Sequence, residues 1–146
     1  MKGQTSLELL VTVGIVIAFT IPVLFLLLSV TSVGYEDTAK AQAEAASRTL
    51  ADTMNSVYSQ GDGAKREILL NVPATTQEVL VRGRSGDLPG GEVVIRIKTS
   101  SGIFEAVHPT IAKIRGTRDS VGMKTGLFLV VVENIDGEVD IFEPTS

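Results

Sequence analysis

The chain has 146 residues, no cysteine, no tryptophan and a single histidine, His108. Disulfides and thiolate metal sites are therefore excluded, and the usual catalytic constellations have little material to draw on. A formal charge of −4 without a dense basic run argues against nucleic acid as a specific partner, and the length fits one modest domain with an appendage.

No charged residue occurs from Leu9 to Val33. About 25 helical residues rising about 1.5 Å each make about 37 Å, longer than a hydrocarbon core of about 30 Å, so the segment spans a bilayer with some tilt. Lys2 precedes it and Glu36 and Asp37 follow it. That asymmetry leaves the N-terminus in the cytoplasm and the remainder outside the cell. A secretory signal peptide has an apolar core of only about 7–15 residues, and this run is too long, although Ser32-Val33-Gly34 imitates a small-x-small cleavage site. A plain signal-anchor is a second reading. The third is a leader cut ahead of the helix, which keeps the whole apolar run in the mature protein. Inside the run, Gly14 is small enough to let another helix approach closely. Pro22 removes a backbone donor and is expected to bend or loosen the helix, with Thr20 placed to help satisfy the freed carbonyls.

The residues ahead of the run discriminate among these readings. Gly3-Gln4-Thr5-Ser6-Leu7-Glu8 resembles the cleavage region of the class III signal peptide of archaeal type IV pilin-like proteins. That pattern is Gln-x-Ser-x-Glu followed by an apolar stretch, usually with a leucine four residues after the glutamate. Gln4, Ser6 and Glu8 match, and Thr12 stands at the leucine position. The resemblance covers the N-terminal segment only. It implies that residues 1–3 are a leader, removed between Gly3 and Gln4 by a membrane prepilin peptidase. Glycine suits that position because a backbone without Cβ enters a narrow protease cleft freely. It further implies that residues 4–33 lie in membrane lipid before assembly and then form the core of a helical homopolymer. That polymer would be built by a separate pilus assembly ATPase and membrane platform, with adhesion as the family-level role. Glu8 lies four residues beyond the new terminus, where it can face the N-terminal amine of a neighbouring subunit. A carboxylate at bilayer depth is costly unless paired; the alternative is a hydrated carboxylate favoured by the dipole at the helix N-terminus. Glu8, Gly14 and Pro22 are the candidate assembly residues. No residue is assigned to catalysis, a cofactor or a metal.

Residues 34–60 continue as an amphipathic helix. Composition is alanine-rich, and Ala39, Ala43, Ala46, Leu50, Met54 and Val57 share one narrow face. Lys40, Glu44 and Arg48 are spaced for successive i,i+4 contacts on another. One long helix is expected from about Ser6 to about Gln60, ended by Gly61-Asp62-Gly63.

Residues 64–146 change to short β-rich runs between turns, forming an extracellular head domain. The expected strands are Glu67–Val72, Glu78–Arg82, Glu92–Thr99, Ile103–His108, Thr110–Arg115, Leu127–Glu133 and Glu138–Phe142. Ser100-Ser101-Gly102 and Asn134-Ile135-Asp136-Gly137 read as hairpin turns. The uninterrupted apolar run Leu127–Val132 predicts a central strand covered on both sides. Ser85–Gly91 and Gly116–Gly126 read as solvated loops. Asn134, Asp136, Glu138 and Asp140 lack the spacing of a calcium-binding loop and read as the wet face of a hairpin. His108, alone before Pro109, reads as a surface residue at a strand end. Arg82, Arg84, Arg96, Lys98, Lys113, Arg115 and Arg118 give the middle of the domain a basic bias that suits the acidic hairpin of a neighbouring subunit, with weak binding of acidic polymers or DNA as the alternative. The fold class that follows is α+β: a long N-terminal hydrophobic helix, then a small antiparallel β-sandwich or β-sheet head.

Overall fold

The computed structural model describes residues 2–85, 88–115 and 125–144. Its elements in chain order are α1 (Lys2–Gln60), β1 (Lys65–Val72), β2 (Thr76–Gly83), β3 (Gly91–Thr99), β4 (Gly102–Thr110), β5 (Gly126–Ile135) and β6 (Glu138–Phe142). The strands form two antiparallel three-stranded sheets, ordered β1-β5-β6 and β2-β3-β4. The arrangement is α+β, as expected. The chain divides into two compact units, Met1–Asp37 and Thr38–Ser146, and α1 contributes to both.

In the first unit α1 stays helical through Pro22 and Gly34. Thr12, Thr20 and Thr31 each turn their hydroxyl back onto the carbonyl four residues earlier, at 2.8, 2.7 and 2.8 Å. Such back-bonding satisfies a hydroxyl inside an apolar helix. Thr20 donates to the Val16 carbonyl, whereas the carbonyl deprived of its partner by Pro22 is that of Ala18, four residues before the proline. Thr20 therefore does not repair the proline site, contrary to the sequence expectation.

In the second unit the remainder of α1 is the central core element. Ala43, Ala46, Ser47, Leu50, Ala51, Thr53, Met54 and Val57 are buried. They span roughly 160° of the helix surface at about 100° per residue. The buried face is thus wider than the narrow stripe read from the sequence. Against it pack the inner rows of both sheets: Leu70, Val72, Val130, Val132, Val139 and Ile141 from one, and Val79, Val81, Val93, Ile95, Ile97 and Ala106 from the other. Arg48 pairs with Asp52, one turn further on, at 3.8 Å. Lys40 lies 5.9 Å from the centre of the Phe104 ring. Gly61, at φ 90°, ends the helix, and its N–H bonds the Tyr58 carbonyl at 3.2 Å; a left-handed residue at that position closes the last turn. Asn134, buried on β5, turns its amide towards the Val57 and Tyr58 carbonyls at 3.4 Å, where the helix would otherwise leave orphan acceptors.

Six strands form among the described residues rather than seven. β4 runs through Pro109 to Thr110, its register continuing Val93↔His108, Glu92↔Pro109, Gly91↔Thr110. Proline is tolerated because β4 is an edge strand with no ladder partner on its other side. Beyond it, residues 111–115 form no strand. Ile114 makes a single parallel bridge to Val139, with Val139 N–H donating to the Lys113 carbonyl at 2.7 Å and Arg115 N–H to the Val139 carbonyl at 2.9 Å. This segment links the two sheets. His108 is half-buried within β4 rather than exposed at a strand end. β5 is central, as expected, and Val130, Val131 and Val132 are buried on both faces, but Leu127 at its start is exposed. At the β5–β6 hairpin, Asp136 and Gly137 take φ of 56° and 80°, the two positive values that a tight primed turn requires.

Candidate functional site

The feature that the fold does not consume is the first half of α1. Every large apolar side chain from Leu7 to Tyr35 is between 48% and 74% exposed. α1 is long and apolar enough to cross a membrane, with a mean hydropathy of 2.8 over its most apolar window and none of that window buried within the chain. A helix satisfies its own backbone groups, so it can enter lipid; a surface of this composition is unstable in water. By length and composition the helix is compatible with a membrane span.

The residues of the cleavage-like motif lie at the start of this helix. Gly3, Gln4, Ser6 and Glu8 all fall within α1, and all four are exposed. Nothing lies within 4 Å of the position a Cβ would take at Gly3. Thr12 donates its hydroxyl to the Glu8 carbonyl at 2.8 Å, so a threonine at this position leaves no unsatisfied polar group. Gly14 and Pro22 are exposed on the same helix. A Cβ at Gly14 would likewise meet nothing within 4 Å. The absence of a side chain there serves no contact among the described residues.

The head supplies a second surface, on which some of the charges pair with one another. Arg96 donates to Glu105 at 2.6 Å and to Glu78 at 3.1 Å across the outer face of the β2-β3-β4 sheet. The hydrogen bond to Glu105 leads in holding the guanidinium above its ordinary value, against a desolvation that pulls the other way. Arg82 bridges to Glu92 at 3.4 Å, and Lys113 to Glu138 at 2.9 Å. Of the basic residues read from the sequence, Arg82, Arg96 and Lys113 are thus neutralised by neighbouring carboxylates, whereas Arg84, Lys98 and Arg115 show no ion pair among the described residues. Arg118 lies outside the described residues, as do Gly86 and Asp87 of one expected loop and 116–124 of the other. Two carboxylates at the acidic hairpin accept backbone N–H groups. Asp62 accepts from the Asp136 N–H at 2.7 Å, and Asp140 from the Ile141 N–H at 2.9 Å.

An open groove of about 490 Å³ lies at one end of the β2-β3-β4 sheet, bordered by Arg82, Arg84, Gly91, Glu92, Pro109 and Thr110. Its glycine and proline walls and its paired Arg82 and Glu92 bring no nucleophile together with a base.

Comparisons with protein-family models, with curated proteins and with solved structures find no match for the chain. The features that sequence reading did not single out are exposed aliphatic residues on the outer faces of the sheets, notably Leu69, Leu127, Ile103 and Val107. The signal was present in Ile68-Leu69-Leu70: three consecutive apolar residues in a strand cannot all face the core.

Proposed function

We propose that this chain is a structural subunit of an archaeal type IV pilus-like surface filament, with adhesion as its role. Prepilin peptidase removes residues 1–3 by cutting between Gly3 and Gln4, and the mature subunit polymerises through residues 4–33. One observation carries the reading. The helix that forms the core of the head is the same helix that bears an uncharged, wholly exposed apolar surface from Leu9 to Val33. Packing copies of that surface together replaces lipid with other apolar side chains, so the helix leaves the membrane without being stranded in water.

The motif supports the leader assignment. Gly3 and Gln4 sit in the first turn of α1, whose leading N–H groups have no intrahelical partner. Local opening of that turn to admit a protease is correspondingly cheap. Cleavage removes Lys2 and creates an amine at Gln4, four residues from Glu8. Pairing that amine with Glu8 of a neighbouring copy neutralises two charges that would otherwise be desolvated in the bundle. The assembly ATPase and membrane platform are separate partners that lift the subunit from the bilayer.

The alternative is a membrane-anchored head that never polymerises, including a minor subunit. Mechanical shearing of cells separates the two: the filament reading places the chain in the sheared fraction, and the anchored reading leaves all of it with the membranes. Gly3→Val should block processing and hold the chain in the membrane fraction. Gly3→Val protein that reaches sheared filaments in wild-type amount would remove the role given to the leader.

A further inference from the structure

Each sheet of the head exposes an aliphatic strip on its outer face. On the β1-β5-β6 sheet, Leu69 stands opposite Leu129 in the β1–β5 register, with Leu127 diagonal to it. Leu69 is 63% and Leu127 65% exposed, beside the buried Val131. On the β2-β3-β4 sheet, Ile103 and Val107 project outward from β4 on either side of the paired Glu105, 62% and 46% exposed, with Leu80 and Val94 buried next to Val107 on the same face. Exposed aliphatic residues on edge strands invite association.

The charges beside the strips differ from the rest of the outer surface. Glu67 precedes Leu69 by two residues and shares its face, and Lys98 is the cross-strand partner of Ile103. Among the described residues neither Glu67 nor Lys98 has an ion pair, whereas Arg82, Glu92, Glu78, Arg96 and Glu105 on the outer face of the β2-β3-β4 sheet are all paired. On the face of Leu69, Lys65 also precedes Glu67 by two residues, but Glu133 and Asp140 lie across from it in the register, so that face is biased negative, while Lys98 gives the other strip a positive charge.

We infer that the Leu69, Leu127 and Leu129 strip of one copy packs on the Ile103 and Val107 strip of a second copy, with Glu67 facing Lys98. The two surfaces differ, so the contact is heterologous and repeats without closing into a dimer. Packing either strip on its own kind would bring two surfaces of the same charge bias together, which disfavours the isologous alternative. Two or three side chains fall well short of the about 800 Å² per partner in a standard stable interface. The contact thus acts between heads whose helices already hold copies together. It rests on the filament reading and adds to it the surface by which successive heads meet.

The chain has no cysteine of its own, so engineered pairs report cleanly. In cells producing full-length L69C/I103C, oxidation with copper phenanthroline is expected to give a ladder of disulfide-linked multimers in sheared filaments. Cells producing L69C and I103C on separate chains should give dimers and nothing larger. Either single variant alone should stay monomeric. Glu67→Lys or Lys98→Glu in the double-cysteine background should each reduce the ladder several-fold, and the combined charge swap should restore it. Dimers from L69C alone or I103C alone overturn the heterologous contact. Filaments that form with Gln4 at their N-terminus but give no ladder overturn the contact and leave the filament reading standing. Absence of both filaments and ladder overturns both.

Discussion

Asn55 on α1 and Thr110 at the end of β4 are joined by a hydrogen bond of 2.8 Å, the Thr110 hydroxyl donating to Asn55 Oδ1. The same oxygen accepts the Ile111 N–H at 2.9 Å, and the Thr110 hydroxyl in turn accepts the Ala112 N–H at 3.1 Å. One amide thereby fixes the point where the chain leaves its edge strand and crosses to the other sheet. Asn55→Ala strips the acceptor from a buried hydroxyl and a backbone N–H. The expected cost is about 1–3 kcal/mol of head stability. Denaturant unfolding of the full chain in detergent measures it, and an unchanged midpoint would show that the link is not needed.

Gly91 is a steric requirement. A Cβ there would fall on the Arg82 carbonyl oxygen and lie 2.6 Å from Ile114 Cδ1. Backbone cannot yield as a side chain does, so Gly91→Ala should cost about 1–3 kcal/mol, as overpacking generally does. Gly83→Ala is the control, because its Cβ would sit 3.4 Å from Ile114 Cβ. The same unfolding measurement should separate the two variants clearly.

Leu50 and Leu24 test the division of α1. Leu50 is fully buried among head residues and Leu24 is exposed. Leu50→Ala should lower head stability by about 2–5 kcal/mol, the usual range for a buried leucine. Leu24→Ala should leave head unfolding unchanged and act only on assembly. Equal effects on unfolding from both variants would contradict the assignment of separate tasks to the two parts of the helix.

Gly14→Leu extends that test. A Cβ at Gly14 would meet nothing within 4 Å among the described residues, and leucine is a better helix former by about 1 kcal/mol. The isolated subunit should be as stable as the wild type or more so. Filament yield should nevertheless fall, since a bulky residue holds neighbouring helices apart. Unchanged yield, quantified by shearing and electron microscopy, would mean that Gly14 is not at a close helix approach.

Glu8→Gln removes the carboxylate charge at the start of the apolar helix without changing its shape. Head folding and membrane insertion should be retained, while sheared filaments should drop more than tenfold. Normal filament formation would return Glu8 to the role of a hydrated headgroup residue.

How far the sequence reaches is visible in particular residues. Ala43, Ala46, Leu50, Met54 and Val57 are buried as their spacing requires, because a 3.6-residue period reports a helix face directly. Ser47 and Thr53 are buried too, and periodicity of apolar residues passes over them. Their hydroxyls bond the Glu44 and Thr49 carbonyls, at 2.9 and 2.8 Å, which lets polar residues enter the core. β6 has the bounds expected, Glu138–Phe142, since a turn and alternation delimit it. The expected strand at Thr110–Arg115 fails for two reasons: an unpaired edge lets β4 absorb Pro109, and the partner of Ile114 is a distant parallel residue, Val139. Charges mislead for a related reason. Arg96 lies between Glu78 and Glu105 only after three strands have paired, and linear order does not bring those residues together.

The most direct test of the filament account is the N-terminal sequence of the native protein in filaments sheared from cells. The account predicts a start at Gln4, with Glu8 as the fifth residue of the mature chain. An intact Met1, or cleavage near Tyr35 with the apolar half of α1 removed, would contradict it.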